Sequence, residues 1–246
     1  MLLPTLAYVE TSLPAADRPA RFALARTLDL ALEIADDGGP LPEPGASDPP
    51  LVTLQAWRLH EDHPLHPEPE RRARARRHVR EAIERAAERG IPRVLVACGF
   101  GERACEDPFQ SCLETFAPAV ELARDRGVRL LLEPLSPLRA PALTDADELA
   151  RLIDALDAPD VVATAVDVGH LADGGHDPCR WLVEWPHPVE ELQLRGPRST
   201  PPPPDLPVGA LLDALPAPPA VVCVEHREPL ERDALAALVA RIRRAL

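Results

Sequence analysis

The chain has no lysine. All 27 of its basic side chains are arginines, which excludes a Schiff-base lysine and a P-loop lysine. Positive charge is short overall: 40 Asp and Glu leave a formal net charge of −13. Nucleic acid and an anionic membrane surface are both disfavoured as partners, because they would be repelled. Aromatic residues make up only 3%. Cysteines are few and odd in number, at Cys98, Cys105, Cys112, Cys179 and Cys223, with no C-x-x-C pair. That pattern favours reduced, mostly buried thiols over a disulfide framework or a zinc knuckle. No apolar run approaches a membrane span. Met1-Leu2-Leu3-Pro4 lacks the basic and apolar regions of a signal peptide, so a cytoplasmic location is expected. No G-x-G-x-x-G follows a strand, which weakens a doubly wound dinucleotide fold.

What is present is alternation. The chain has 246 residues, 46% of them hydrophobic, ample for a large core. Short Val/Leu/Ile runs predict strands over residues 6–9, 28–34, 52–57, 94–98, 128–133, 161–167, 189–194 and 220–225. Amphipathic stretches between them predict helices over 18–27, 68–89, 109–126, 146–156, 178–184, 208–215 and 230–246. In the second of these, Val79, Ile83 and Ala86 share one face, and Gly90 and Pro92 end the helix. Eight strands alternating with seven or eight helices give an α/β chain, a single (β/α)8 TIM barrel over residues 1–246, near the ~250 residues usual for that fold. The 31 prolines gather in loops, at 39–50, 64–69 and 201–204, and are read as stiffening.

Catalytic groups of such a barrel come from the C-terminal ends of its strands. Strand five ends at Glu133, strand six at Asp167 and strand eight at Glu225, and strand seven carries Gln193 near its end. One apolar strand ending on a carboxylate is unremarkable. Three with an amide between them point to a shared site. Three crowded carboxylates repel one another unless a cation lies among them. Glu133, Asp167, Gln193 and Glu225 offer hard oxygen donors, which suit one Mn²⁺ or Mg²⁺, with Co²⁺ and Zn²⁺ less suited. Arg195 or Arg198 is a candidate grip for a substrate carboxylate or phosphate.

Other motifs carry less. His60, His63 and His66 form H-x-x-H-x-x-H, a candidate second metal site, but the Glu61, Asp62, Pro64 and Pro67 among them favour a solvated loop. The arginine run from Arg71 to Arg77 sits on a helix with Arg77–Glu81 and Arg80–Glu84 one turn apart, which predicts a solvated face.

The segments Leu132-Glu133-Pro134-Leu135-Ser136-Pro137, Val166-Asp167-Val168-Gly169-His170 and Val224-Glu225 resemble the xylose isomerase-like TIM-barrel superfamily of sugar isomerases and epimerases, from about Val94 onward. The resemblance implies that Glu133, Asp167 and Glu225 bind one divalent metal and that His170 contacts substrate oxygens. It implies that Glu133 and Glu225 stand on opposite sides of the metal, one taking a proton from a sugar or small hydroxy-carbonyl substrate and the other returning it through an enediolate. Such a protein would serve carbohydrate metabolism; barrel oligomers are common in the superfamily. Strand seven departs from the usual H-x-H-x-x-D: Leu192-Gln193-Leu194-Arg195-Gly196-Pro197-Arg198 looks closer to the hydroxypyruvate isomerase branch, but Pro201 to Pro204 replace its Gly-rich continuation.

Three alternatives remain open. One is a lyase or dehydratase on the same scaffold. Another is an endonuclease IV-like DNA repair enzyme, opposed by only eight His and the net charge of −13. The third is a non-catalytic barrel serving as a binding subunit, opposed by the stability cost of unused buried carboxylates.

Overall fold

The computed structural model describes residues 3–43, 45 and 47–246. Met1 and Leu2 of the amino-terminal segment, and Pro44 and Ala46 of the proline-rich stretch 39–50, lie outside the described residues.

Eight parallel strands close into a barrel in sequence order. The elements are β1 (Thr5–Val9), α1 (Arg18–Thr27), β2 (Ala31–Ala35), β3 (Leu51–Gln55), α2 (Pro69–Glu88), β4 (Arg93–Ala97), α3 (Pro108–Arg126), β5 (Arg129–Glu133), α4 (Ala146–Leu156), β6 (Val162–Asp167), α5 (Val168–Asp173), α6 (Pro178–Glu184), β7 (Val189–Leu194), α7 (Val208–Asp213), β8 (Val221–Val224) and α8 (Arg232–Arg243). The (β/α)8 expectation therefore holds, with two differences. Among the described residues no α-helix joins β2 to β3, and two helices follow β6.

Aspartate and proline set where helices begin. Asp107 and Asp177 each precede a proline at the first helical position, where the missing N–H costs nothing. Their carboxylates accept from Gln110 N at 3.0 Å and Arg180 N at 2.9 Å. A few of the prolines thus start helices rather than stiffen loops. At the other end of α3, Gly127 takes φ 67°, a left-handed conformation that a Cβ would penalise.

The strands are nearly all buried, as parallel strands under helices must be. Leu32, Leu54, Val94, Leu130 and Val166 pack outward against helix residues such as Val79, Ile83 and Phe116. The inward faces carry small side chains, among them Ala7, Ala31, Ala163 and Ala165. That leaves room inside the barrel for the polar residues of β2, β5, β6 and β7. No helix among the described residues is long and apolar enough to cross a membrane. All five cysteines are free, with Cys98, Cys112 and Cys223 buried.

Candidate active site

Register fixes the level of each inward side chain. Asp167 on β6 is paired with Gln193 on β7, and Gln193 with Cys223 on β8. Glu133 ends β5 beside Ala97 of β4. Glu225 follows the last residue of β8, and its N–H donates to Leu194 O at 3.3 Å. The next residue, His226, is locked by Ser12: its N–H donates to Ser12 Oγ at 3.0 Å, and that hydroxyl donates to His226 O at 2.7 Å. Glu225 therefore leaves a fixed backbone.

Asp167 does two jobs. It caps α5, its Oδ1 accepting from Gly169 N at 2.7 Å and His170 N at 3.3 Å. Its Oδ2 lies 2.5 Å from Arg195 Nε, a close ion pair buried on both sides. The contact is not an aligned hydrogen bond: neither atom has a hydrogen-bond partner among the described residues. Arg195 also donates to Ser199 Oγ through Nη1. Gly169 makes this packing feasible, because a Cβ there would stand 2.5 Å from Arg195 Cγ and 2.9 Å from Gly196 O.

His170 follows in the same turn. Ser136 N donates to its Nδ1 at 3.4 Å, which assigns the ring proton to Nε2. Nε2 faces Glu133 Oε1 at 3.8 Å. Burial, with Arg195 opposing the pull of Asp167, lowers the His170 pKa to about 3, so the ring is neutral at ordinary pH. Burial and then repulsion from Glu225 and Asp167 hold the Glu133 carboxyl well above the usual carboxylate range. Glu225 is pushed up to about 7, chiefly by burial and then by Asp167, with Arg195 pulling the other way.

Glu133, His170, Arg195 and Glu225 line one cavity at the C-terminal end of the barrel. Its opposite wall is aromatic. Trp57 lies tilted against His60 at 4.2 Å between ring centres, and His60 stacks on Phe100 at 4.1 Å. Arg139 and Arg227 complete the mouth. Sequence reasoning did not single out Trp57, Phe100, Arg139 or Arg227 for the site. Each stands alone on a loop after a strand, where no periodicity marks it.

Three expectations need correction. Arg198 is outside the cavity: its φ of 56° after Pro197 turns the chain, its side chain is exposed, and its N–H donates to Asp173 at 3.0 Å. Arg195 is inside, but against Asp167 rather than free to grip a substrate anion. The H-x-x-H-x-x-H segment is neither a metal site nor a solvated loop. His60 lies in the aromatic wall and His63 is 4% exposed. No group of metal-ligating side chains forms there among the described residues.

Gln193 is brought near, one level deeper, and is fully buried. Its Nε2 donates to Glu33 Oε1 at 3.1 Å and Glu191 Oε1 at 3.1 Å. The planar amide then turns Oε1 away from those carboxylates, and Oε1 has no partner among the described residues. Thr53 Oγ1 donates to Glu191 Oε2 at 2.5 Å. Glu33, on β2, is held well above the usual carboxylate range by burial and by Glu191, so it keeps its proton.

Two groups of potential metal ligands exist among the described residues: Glu133, Asp167 and His170, and the deeper Glu33, Glu191 and Cys223. The upper one fits a divalent cation. Glu133, Asp167 and Glu225 crowd together with one buried guanidinium among them, that of Arg195, and the buried acceptor Gln193 Oε1 has no donor among the described residues. In the deeper one the carboxylates already have donors, Gln193 Nε2 to Glu33 and Glu191 and Thr53 Oγ1 to Glu191.

A family model described as xylose isomerase-like TIM barrel matches residues 53–199. The chain belongs to this family. The family's fold extends over the rest of the chain. A D-allulose 3-epimerase from Methylomonas sp., solved with D-allulose, superposes with TM-score 0.78 at 13% identity, over 99% of this chain and 97% of that one. The 3-keto-D-glucoside 4-epimerase of E. coli gives 0.73 at 14% identity, over 98% of each chain. The IOLI protein with a bound zinc atom gives 0.73 at 14% identity, over 99% and 96%. No curated protein sequence matches the chain.

Proposed function

We propose that the protein is a divalent-metal-dependent isomerase or epimerase of a sugar or small hydroxy-carbonyl compound, working in the cytoplasm. One observation carries this reading: two carboxylates, Glu133 and Glu225, face one cavity, and below them the buried Gln193 Oε1 has no donor among the described residues. Asp167 Oδ2, Gln193 Oε1, Glu133 and Glu225 would hold the metal, and their oxygen donors favour Mn²⁺ or Mg²⁺. When bound, the metal would polarise the substrate carbonyl and stabilise negative charge beside it. The similar epimerases, and the zinc in one similar barrel, agree with this reading.

The chain's own residues do the rest. Glu225 takes the proton from the carbon next to the carbonyl, leaving an enediolate, and Glu133 returns one to the opposite face or the adjacent carbon. His170, neutral with its proton on Nε2, donates to a substrate oxygen. Arg195 neutralises Asp167 and keeps it from repelling the enediolate. Trp57, His60 and Phe100 offer an apolar wall to the C–H face of a sugar and exclude water.

Arg195 supports a second reading, in which its guanidinium takes the cation's place permanently and the barrel only binds. Metal content and Mn²⁺-induced thermal stabilisation separate the two. A near-stoichiometric ion, with stabilisation lost in Glu225→Gln, supports the isomerase. No ion and no Mn²⁺ response would leave the binding barrel.

A further inference from the structure

We propose that the substrate carries an anionic group, a phosphate or a carboxylate, held between Arg139 and Arg227 at the mouth of the cavity. This rests on the isomerase reading and adds the class of substrate to it. About half of the chain's arginines meet a carboxylate among the described residues, and the rest are mostly exposed. Arg58, Arg74, Arg124 and Arg129 each meet a carboxylate. Among the described residues, the side chains of Arg139 and Arg227 meet none, although both line the cavity that Glu133 and Glu225 share.

Their backbones are held in place. Arg139 N donates to Ser136 O at 2.8 Å, and Gly101 N donates to Arg139 O at 3.0 Å, tying the loop after β5 to the loop after β4. Arg227 N donates to Ser199 O at 2.9 Å, tying the loop after β8 to the loop after β7. The Arg139 guanidinium carbon lies 5.8 Å from the Phe100 ring centre, over the aromatic wall. The two guanidinium groups are near enough to disfavour one another: Arg139's proton affinity is lowered first by burial, then by Arg227 and Arg195. An anion between them removes that repulsion and matches two planar donors.

Charge arithmetic points the same way. Glu133, Asp167 and Glu225 oppose Arg139, Arg195 and Arg227, for a balance of 3 − 3 = 0. A divalent cation makes the site +2. A neutral sugar leaves that charge standing in a partly desolvated cavity, whereas a phosphate or carboxylate offsets it. The anion role expected of Arg195 and Arg198 thus falls on two other arginines.

The test is thermal shift at constant ionic strength, with inorganic phosphate in one arm and malonate in the other. Wild type is compared with the double variant Arg139→Gln/Arg227→Gln, and each protein is separately titrated with Mn²⁺. Wild type should be stabilised by phosphate, by malonate or by both, and whichever responds identifies the group. The double variant should bind the responding anion about tenfold or more weakly while keeping its Mn²⁺ response, which shows that it is folded. No anion response in wild type, or an equal response in the double variant, overturns the proposal. Anion binding without any Mn²⁺ response keeps the arginine pair and overturns the isomerase reading instead.

Discussion

The barrel interior holds two buried acid groups, one above the other, that resolve the same difficulty by different means. Below, Glu33 and Glu191 are both fully buried. Glu33 keeps a proton, and Gln193 and Thr53 supply the remaining donors, so the layer is closed. Above, Glu133, Asp167 and Glu225 open onto a cavity with one guanidinium among them and an acceptor left over. A proton suffices where nothing has to react. An incompletely neutralised layer is one that can take a cation and move protons to a substrate. Gln193 belongs to both layers, one end of its amide bound below and the other unpaired.

The comparison breaks most visibly at the upper layer. Glu133→Gln and Glu225→Gln should each lower exchange of the substrate C–H with D₂O by about 10²–10⁴-fold. Both variants should fold, since removing charge there relieves repulsion. An unchanged exchange rate in either would remove that residue from proton transfer. Gln193→Leu probes the join. It strips donors from Glu33 and Glu191 and should cost about 1–3 kcal/mol in urea unfolding of the metal-free protein, and it should also weaken Mn²⁺ binding. Retained stability would mean that the lower layer does not depend on the amide.

The lower layer is sharpened by pH. The folded-state pKa of Glu33 is raised, so wild-type stability is lost as pH rises above the unfolded carboxyl value. Glu33→Gln removes that proton dependence. Its Tm relative to wild type should climb from pH 5 to pH 8, and a constant difference would show that Glu33 is ionised in the fold. A smaller effect of opposite sign comes from the aromatic wall. The pKa of His63 is lowered to about 4, mainly by burial. The unfolded chain therefore binds the extra proton between about pH 6.5 and 4, and stability falls on acidification. His63→Gln should flatten that slope, measured by Tm across the same window.

Much of the barrel was legible because parallel strands under helices read as short apolar runs. Glu133 and Asp167 were visible as strand ends. The boundaries that slipped have local causes. Leu30 N still donates back to Ala25 O at the end of α1, so β2 starts at Ala31. Trp57 opens a 3₁₀ turn instead of ending β3. The six residues of α5 are too short for a period to show, and Asp167 makes that helix by capping it. Along β7 the polar residues Glu191, Gln193 and Arg195 recur at every second position. This inward stripe announces a polar barrel interior, but only pairing with β2 and β6 reveals that its members serve two levels. Arg139 and Arg227 could not be found this way, because loop closure rather than pattern brings them to one mouth.

Gly169 has a consequence for how this site can change over evolutionary time. Its missing side chain is the headroom in which the Arg195 stem rests. A lineage that gives position 169 a side chain must surrender the arginine and also move the Gly196 carbonyl, which a Cβ there would meet at 2.9 Å. Glycine at 169 is therefore held by two neighbours at once, and should persist wherever the arginine at 195 does.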